Sequence, residues 1–355
     1  MAQLKLDHVT KKFGKHAALK DVSLDIADGE FFVLLGPTGA GKSTTLRTIA
    51  GLEKLDSGSI HIGGNDVVDE TAAERDVALV FQYYSLYPRY TVRENLAFPL
   101  RSRVRRLPED QIAKRIADAA KTLRIEHLLD RKTDRLSGGE MQRVSIGRAI
   151  VREPRAFLMD EPLSNLDAKL REALRGELKN LQARLKSTFL FVTHDQVEAM
   201  SMGDRIGVMQ DGQIVQVGTP HEIYNAPNSL FVAGFVGAPS MSFIPAVANG
   251  GKISALGSDL KLKLHKDTRK GALTLGLRAE DVVIGPKGVL SGTIHEVENY
   301  GVEKIVTLKN DGQFLRAATA ASLSTPLGAK VKFGFKPGKV HCFDPESGLR
   351  LKLEG

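Results

Sequence analysis

The stretch Phe31-Phe-Val-Leu-Leu-Gly-Pro-Thr-Gly-Ala-Gly-Lys-Ser-Thr44 limits the possible folds more than any other part of this chain. Five apolar residues of strand type run into a glycine-rich turn and then into a helix-forming segment. Gly36 to Ser43 fits the spacing G-x-x-x-x-G-K-S, and the chemistry of phosphate binding explains each residue type. Gly36, Gly39 and Gly41 let the backbone curl through Pro37, Thr38 and Ala40 with its N–H groups pointing inward, which makes a concave anion site. The helix that follows, through Ser43 and Thr44, adds its positive N-terminal end. Lys42 reaches β- and γ-phosphates as a point charge. The Ser43 hydroxyl suits Mg²⁺, a cation that keeps water and phosphate oxygen as most of its ligands. Eight residues alone also occur in ordinary Gly-rich turns. Their place directly after a buried-type strand points to nucleotide binding.

At 355 residues the chain exceeds a single nucleotide-binding domain and suits two. Its one cysteine, Cys342, excludes an internal disulfide framework and fits a reducing compartment. The first residues hold no apolar stretch of signal-peptide type, and no window approaches the ~20 apolar residues of a membrane span. A membrane role therefore has to come through a partner. Residues 236–355 carry 17 Lys+Arg against 11 Asp+Glu, whereas residues 1–235 carry 33 against 31. The near-neutral larger part argues against a nucleic-acid surface there. The densest basic run, Arg101, Arg103, Arg105 and Arg106, reads as a solvated face.

Residues 3–10 and 18–26 alternate apolar and polar as two antiparallel strands, which with the strand at 31–35 make an opening β-layer. Phe13 lies in the turn between them. Val77–Phe81 is a short apolar strand ending at Gln82, whose amide suits a metal-bound water or a phosphate. Residues 83–155 form a mostly helical insertion, opened by Tyr83, Tyr84, Tyr87 and Tyr90 and by a capping-box pattern at Thr91–Glu94. A helical period runs through 109–130. Ser137-Gly138-Gly139 opens another helix and is a second preformed anion site. One P-loop occupies one nucleotide, so the second site is free to serve another copy. Ala156–Glu161 is an apolar strand with two adjacent carboxylates at its end; alternation turns Asp160 and Glu161 to different sides. Asp160 suits the Mg²⁺ site and Glu161 suits an attacking water. A connector at 164–167 precedes a long helix at 168–185, and a further buried strand ends at His194. Parallel strands present their C-terminal ends together, which places His194 on the same edge as the P-loop and the carboxylates.

Taken in order, Gly36-x-x-x-x-Gly-Lys-Ser43, Gln82, Leu136-Ser-Gly-Gly-Glu140, Phe157-Leu-Met-Asp-Glu161, Ser164-Asn-Leu-Asp167 and Thr193-His-Asp195 resemble the ATPase subunits of ABC transporters, and most closely those of bacterial carbohydrate importers of the maltose type. The resemblance implies that Lys42 and the loop amides from Gly36 to Thr44 hold the ATP phosphates. It gives Ser43, Gln82 and Asp160 to Mg²⁺ and its waters, Glu161 to the attacking water as general base or water orienter, and His194 to the γ-phosphate. Ser137, Gly138 and Gly139 would bind the ATP of a second copy, with Asp167 at the seam. Phe13 takes the adenine-stacking position, where the family more often has Tyr or Trp. Glu140 and Met141 replace the commoner Gln and Arg or Gln, and Thr133-Asp134 stands where many relatives carry proline. Phe81–Asn95 is similar to the stretch that receives a coupling helix from a membrane subunit. Thr193–Met200 and Gly218–Tyr224 also look like the sugar-importer subfamily.

Beyond about Gly237 the pattern changes to short alternating segments at 260–265, 272–284, 292–297, 302–309, 329–335 and 339–343. That spacing suggests a small all-β barrel of OB type, and Gly276-Leu-Arg-Ala-Glu-Asp281 resembles the Gly-x-Arg-Pro-Glu-Asp of the transporter-associated domain. The expectation is an α/β P-loop ATPase domain over 1–236, with an antiparallel β-subdomain and the helical insertion, followed by an OB-like regulatory or dimerisation domain over 237–355. The resemblance implies a homodimer at the cytoplasmic face of a bacterial inner membrane. Two transmembrane permease subunits and, indirectly, an extracytoplasmic solute-binding protein would be its partners, with no nucleic acid. Importers of a polyamine, a metal–anion complex or glycerol phosphate share the barrel and are the nearest alternative. A soluble ABC-type ATPase acting on nucleic acid is a more distant one.

Overall fold

The first strands, β1 (Leu4–Phe13) and β2 (His16–Ile26), pair antiparallel, with Leu4, Leu6, Val22, Leu24 and Ile26 turned into the core. They belong to a small antiparallel sheet of order β2-β1-β4-β5, completed by β4 (Ser57–Ile62) and β5 (Asn65–Asp66). The strand that leads into the glycine-rich loop, β3 (Phe31–Leu35), is not part of this layer, contrary to the sequence expectation. All five of its side chains are buried because it lies inside a second sheet, where both faces are covered.

That second sheet has the order β10-β9-β3-β8-β7-β6. Its strands β6 (Val77–Val80), β7 (Ala156–Asp160), β8 (Thr188–Thr193) and β9 (Arg205–Gln210) run parallel with β3, and β10 (Gln213–Gly218) is an antiparallel edge. Phe31, Phe157, Phe189 and Phe191 fill one face, with the Phe157 and Phe189 rings 4.6 Å apart. The helices of this unit are α1 (Lys42–Ile49), α2 (Val92–Ala97), α3 (Glu109–Leu123), α4 (Gly138–Ile150), α5 (Ala168–Leu185) and α6 (Gln196–Met202). Residues 81–155, with α2, α3 and α4, are inserted between β6 and β7, which are neighbours in the sheet. Helix α3 stops at Leu123 rather than running to 130. Arg124 turns left-handed (φ 57°) and the Ile125 N–H closes on the Ala120 carbonyl, a helix-ending turn that no apolar period reveals.

The computed structural model describes residues 2–102, 106–249, 252–260, 262–264, 271–324 and 326–354. Arg103 and Arg105 of the basic run, and residues 261 and 265 of one expected strand, lie outside the described residues. Arg101 is paired with Glu109 at 2.8 Å. Among the described residues no helix is long and apolar enough to cross a membrane.

The chain divides into two compact units, Met1–Pro220 and His221–Gly355. The sequence places this division at 236/237. The two short helices α7 (Pro220–Asn225) and α8 (Leu230–Phe235) instead pack with the second unit, held there by buried Arg278, which bonds to the carbonyls of Tyr224 and Val236. The rest of this unit is all-β, with the architecture of an OB-like domain. One sheet joins β11 (Ser242–Asn249), β12 (Lys252–Ala255), β13 (Ser258–Leu260), β15 (Gly271–Leu277), β21 (His341–Phe343) and β22 (Arg350–Leu351). A second joins β16 (Val282–Ile284), β17 (Leu290–Asn299), β18 (Glu303–Asn310), β19 (Gln313–Ala320) and β20 (Lys330–Phe335), and β14 (Lys263–Leu264) pairs with β23 (Leu353–Glu354). The two larger sheets share one apolar core that includes Ile244, Leu275, Val306 and Phe333.

Candidate active site

Parallel pairing puts Leu35 beside Thr193 and Asp160 beside Val192, so β3, β7 and β8 end at one edge of the sheet. The loop after β3 curls tightly there. A Cβ on Gly36 would lie 2.4 Å from the Met209 carbonyl oxygen, and one on Gly41 would lie 2.6 Å from that of Ala18. Gly41 also needs its φ of 106° to turn into α1. Lys42, 5% exposed, donates to the Gly36 and Pro37 carbonyls at 2.9 and 3.0 Å. Burial pushes its pKa down, against the opposing pull of Glu161 and Asp160.

The Ser43 hydroxyl donates to Asp160 Oδ1 at 2.8 Å. Burial raises the pKa of Asp160 and the charge on Glu161 adds to the rise, while the Ser43 hydrogen bond pulls it down. Glu161 lies beyond the strand in the left-handed region (φ 44°), anchored by its N–H to the Val192 carbonyl at 3.0 Å. Its Oε1 is 3.6 Å from the Lys42 ammonium and its Oε2 is 2.9 Å from His194 Nδ1. Lys42, Ser43, Asp160, Glu161 and His194 thus gather at one sheet edge, with Glu161 between the lysine and the imidazole. His194 is half-exposed and Glu161 mostly covered, so the imidazole forms the open side of the cluster.

Gln82 reaches this group indirectly. Its Nε2 donates to Ser164 Oγ at 3.3 Å, and Ser164 in turn donates to the Glu161 carbonyl at 2.9 Å. Asn165 Nδ2 bonds to the Gln82 carbonyl at 3.0 Å. Asp167 caps α5, accepting from the Leu170 N–H at 3.0 Å. Thr38 and Gly39 are exposed at the loop tip, while Pro37 and Thr44 are partly covered and Ala40 is buried. Phe13 is half-exposed at the β1–β2 turn with Lys11 Nζ 4.9 Å from its ring centroid, and β2 passes the loop at Ala18.

Ser137 caps α4 in a box with Glu140. Gly138 is partly covered; Gly139 is buried, and a Cβ on it would lie 2.4 Å from the Leu170 side chain, so its lack of a side chain serves packing against α5. Among the described residues none of Ser137, Gly138 and Gly139 bonds to the P-loop of its own chain.

Sequence reasoning missed Arg171, four residues past Asp167 on α5. Its guanidinium spans the connector and the strand end, 3.0 Å from the Leu166 carbonyl and 3.3 Å from Asp195 Oδ2. Buried Glu198, which accepts from Thr193 Oγ1 at 2.6 Å, lies 4.0 Å from the Arg171 Nε. No local pattern in the sequence signals these bonds, which reach the connector and the end of a distant strand.

Comparison with known proteins places the chain in a family. The model of the ABC transporter family matches residues 19–164, and that of the TOBE domain matches residues 275–343. A xylose/arabinose import ATP-binding protein of Haloferax volcanii is 45% identical over 99% of this chain and 96% of its own. An sn-glycerol-3-phosphate import ATP-binding protein of Ruegeria pomeroyi is 44% identical over 99% of both chains. Among solved structures, a dimeric ATP-binding cassette bound to ADP and phosphate is similar at a TM-score of 0.54 and 34% identity, covering 61% of this chain and 98% of that one. With an ATP-binding fold at its N-terminal side, a TOBE domain at its C-terminal side and relatives matched from end to end, the chain belongs to the ABC transporter family, among its ATP-hydrolysing proteins.

Proposed function

We propose that the chain hydrolyses ATP to energise import of a sugar or sugar derivative, working as a homodimer docked on two transmembrane permease subunits. An extracytoplasmic solute-binding protein would deliver the solute, and the ATPase would lie at the cytoplasmic face of a bacterial inner membrane. The observation that carries the chemistry is the Glu161 carboxylate shared between Lys42 and His194, beside the Ser43–Asp160 pair. In this reading Lys42 holds β- and γ-phosphate oxygens. Glu161 orients and deprotonates the attacking water, and His194 steadies the γ-phosphate from the open side.

A hydroxyl and a carboxylate 2.8 Å apart are hard oxygen donors that suit Mg²⁺, and Gln82 stands further out, reaching the cluster through Ser164. When bound there, Mg²⁺ neutralises charge developing on the phosphates.

Each of two ATP molecules would lie between the P-loop of one copy and Ser137, Gly138 and Gly139 of the other. Asp167 would lie at that seam and Phe13 would stack on adenine. The permease would dock on the exposed aromatic surface of Tyr83, Tyr87, Tyr90 and Phe98, where the Tyr87 and Phe98 rings are 4.5 Å apart. The catalytic role would rest with the unit Met1–Pro220, with the helical subdomain at about 83–155, and the unit from His221 would carry a regulatory or dimerisation role.

Sugar is the leading solute because sugar importers, one for xylose/arabinose and one for trehalose/maltose, recur among the relatives. The glycerol-phosphate relative supports a second reading, import of that ester. The test is purification of the tagged chain from native membranes in mild detergent. Recovery of permease subunits, with ATPase activity stimulated by a sugar, supports the first reading, and stimulation by glycerol 3-phosphate alone supports the second. A chain recovered with nucleic acid and no permease overturns both.

A further inference from the structure

Where the end of α3 meets α4 and α5, the packing leaves a cavity of about 220 Å³. Its floor is aliphatic: Leu123, Ile146, Leu174, Leu178 and Leu181 line it, and all are buried. The three leucines of α5 recur at helical spacing and form one stripe along that helix. Four charged side chains join the lining. Arg143 and Glu177 face each other at 3.1 Å, so the one acid that lines the cavity is already neutralised. Arg124 and Arg184 are not neutralised in this way. Arg124 ends α3 and Arg184 lies in the last turn of α5, places that favour a cation. Both are exposed, and among the described residues neither side chain has a hydrogen-bond or acidic partner. The cavity therefore joins an apolar floor to two uncompensated positive charges.

We propose that this cavity binds a small amphipathic carboxylate, a short fatty or aryl-alkyl acid, with its hydrocarbon on the leucine floor and its carboxylate at Arg124 and Arg184. The floor accounts for the body. An apolar cavity of about 150 Å³ takes up benzene, so this larger one suits a chain of about eight carbons. The arginines account for the head, since a guanidinium matches a carboxylate in both shape and charge. Other classes fit less well. A sugar would set its hydroxyls against five aliphatic side chains with too few partners. A nucleotide is too large for the space. Inorganic phosphate would leave the floor unused. None of the lining residues belongs to the Lys42–Glu161–His194 cluster, so the site is separate from it and does not depend on which solute is carried. The occupant touches α3 and α4 of the inserted segment on one side and α5, which follows β7, on the other. Binding therefore ties these parts together and stabilises the folded unit.

The experiment titrates the full chain, isotope-labelled at its isoleucine and leucine methyls, with octanoate and follows the methyl resonances by NMR. The expected result is saturable shifts at Ile146 and Leu178 that persist when ADP is saturating. Arg124→Ala and Arg184→Ala remove exposed side chains, so folding is not at stake, and each should weaken octanoate about three- to tenfold. Octanamide keeps the chain and loses the charge, and should bind about tenfold more weakly. Acetate keeps the charge and loses the chain, and should leave these methyls unmoved. Octanamide binding as tightly as octanoate, or both arginine variants binding octanoate at full strength, overturns recognition of the charge. Shifts that vanish with ADP assign octanoate to the glycine-rich loop and overturn the site. No shift at Ile146 up to about 10 mM octanoate overturns the proposal outright.

Discussion

Glu161 Oε2 lies 2.9 Å from His194 Nδ1, while the other oxygen of the same carboxylate faces Lys42 at 3.6 Å. One side chain therefore connects the lysine of the glycine-rich loop to the imidazole of this cluster. Glu161→Gln keeps the shape and removes the base. ATP binding should persist within a few-fold, while the steady-state hydrolysis rate should fall by about 10²–10⁴-fold. Single-turnover hydrolysis at saturating ATP checks this, and brisk turnover would remove Glu161 from the role of base.

Arg171 ties the Leu166 carbonyl to Asp195, the neighbour of His194, and so acts as a positioning residue. Arg171→Ala should lower kcat by about ten- to a hundredfold through misplacement of His194. The ATP concentration for half-saturation should change far less, because Lys42 and the loop are untouched. Arg171→Lys should recover only part of the loss, since a compact ammonium lacks the wide planar fork with which the guanidinium reaches both acceptors. Equal losses in kcat and in ATP affinity would indicate a general disturbance instead.

His341 gives the second unit a pH dependence of definite sign. Burial, together with Arg350, Arg278 and Lys339, lowers its pKa from 6.5 to about 4. The unfolded chain binds a proton there at higher pH than the folded one does. Stability from this group is therefore full above about pH 6.5 and is lost as pH falls through 4, by about 3 kcal/mol in all. Thermal unfolding followed between pH 7 and 4.5 should show the loss, and His341→Phe should flatten this part of the profile.

Cys342 is buried in β21, and burial pushes its thiol up to about 11. As the chain's one cysteine, it should stay unlabelled by a maleimide at pH 7.5 in the folded protein and react fully in denaturant. Rapid labelling of the native chain would show that the barrel opens locally.

The catalytic edge was legible in the sequence because its parts are local. A buried strand, three glycines, a lysine and two strand-end carboxylates each announce themselves within a few residues, and parallel pairing then brings them together. What was not legible depends on contacts distant in sequence. The strand β11 escaped notice because Pro245 interrupts its pattern. The structure accommodates Pro245 opposite Thr274 of β15, while pairing with β12 begins only at Ala246. The assignment of α7 and α8 to the second unit depends on Arg278, whose bond to Val236 spans 42 residues and whose guanidinium lies 3.9 Å from the Tyr224 ring centroid. Glu140 was visible as a departure from the commoner Gln, and its capping box with Ser137 was legible too, since Ser137 was placed at a helix start and S-x-x-E is the pattern of such a box.

The left-handed backbone of Glu161 also says something about how this chain can change. A non-glycine residue held there carries a conformational cost of about 1–3 kcal/mol, which asparagine and especially glycine largely escape. At this one position, selection for thermal robustness and selection for turnover pull in opposite directions. On the proposed role of Glu161, relaxing this backbone with Glu161→Gly or Glu161→Asn gives up both the base and the carboxylate that faces buried Lys42.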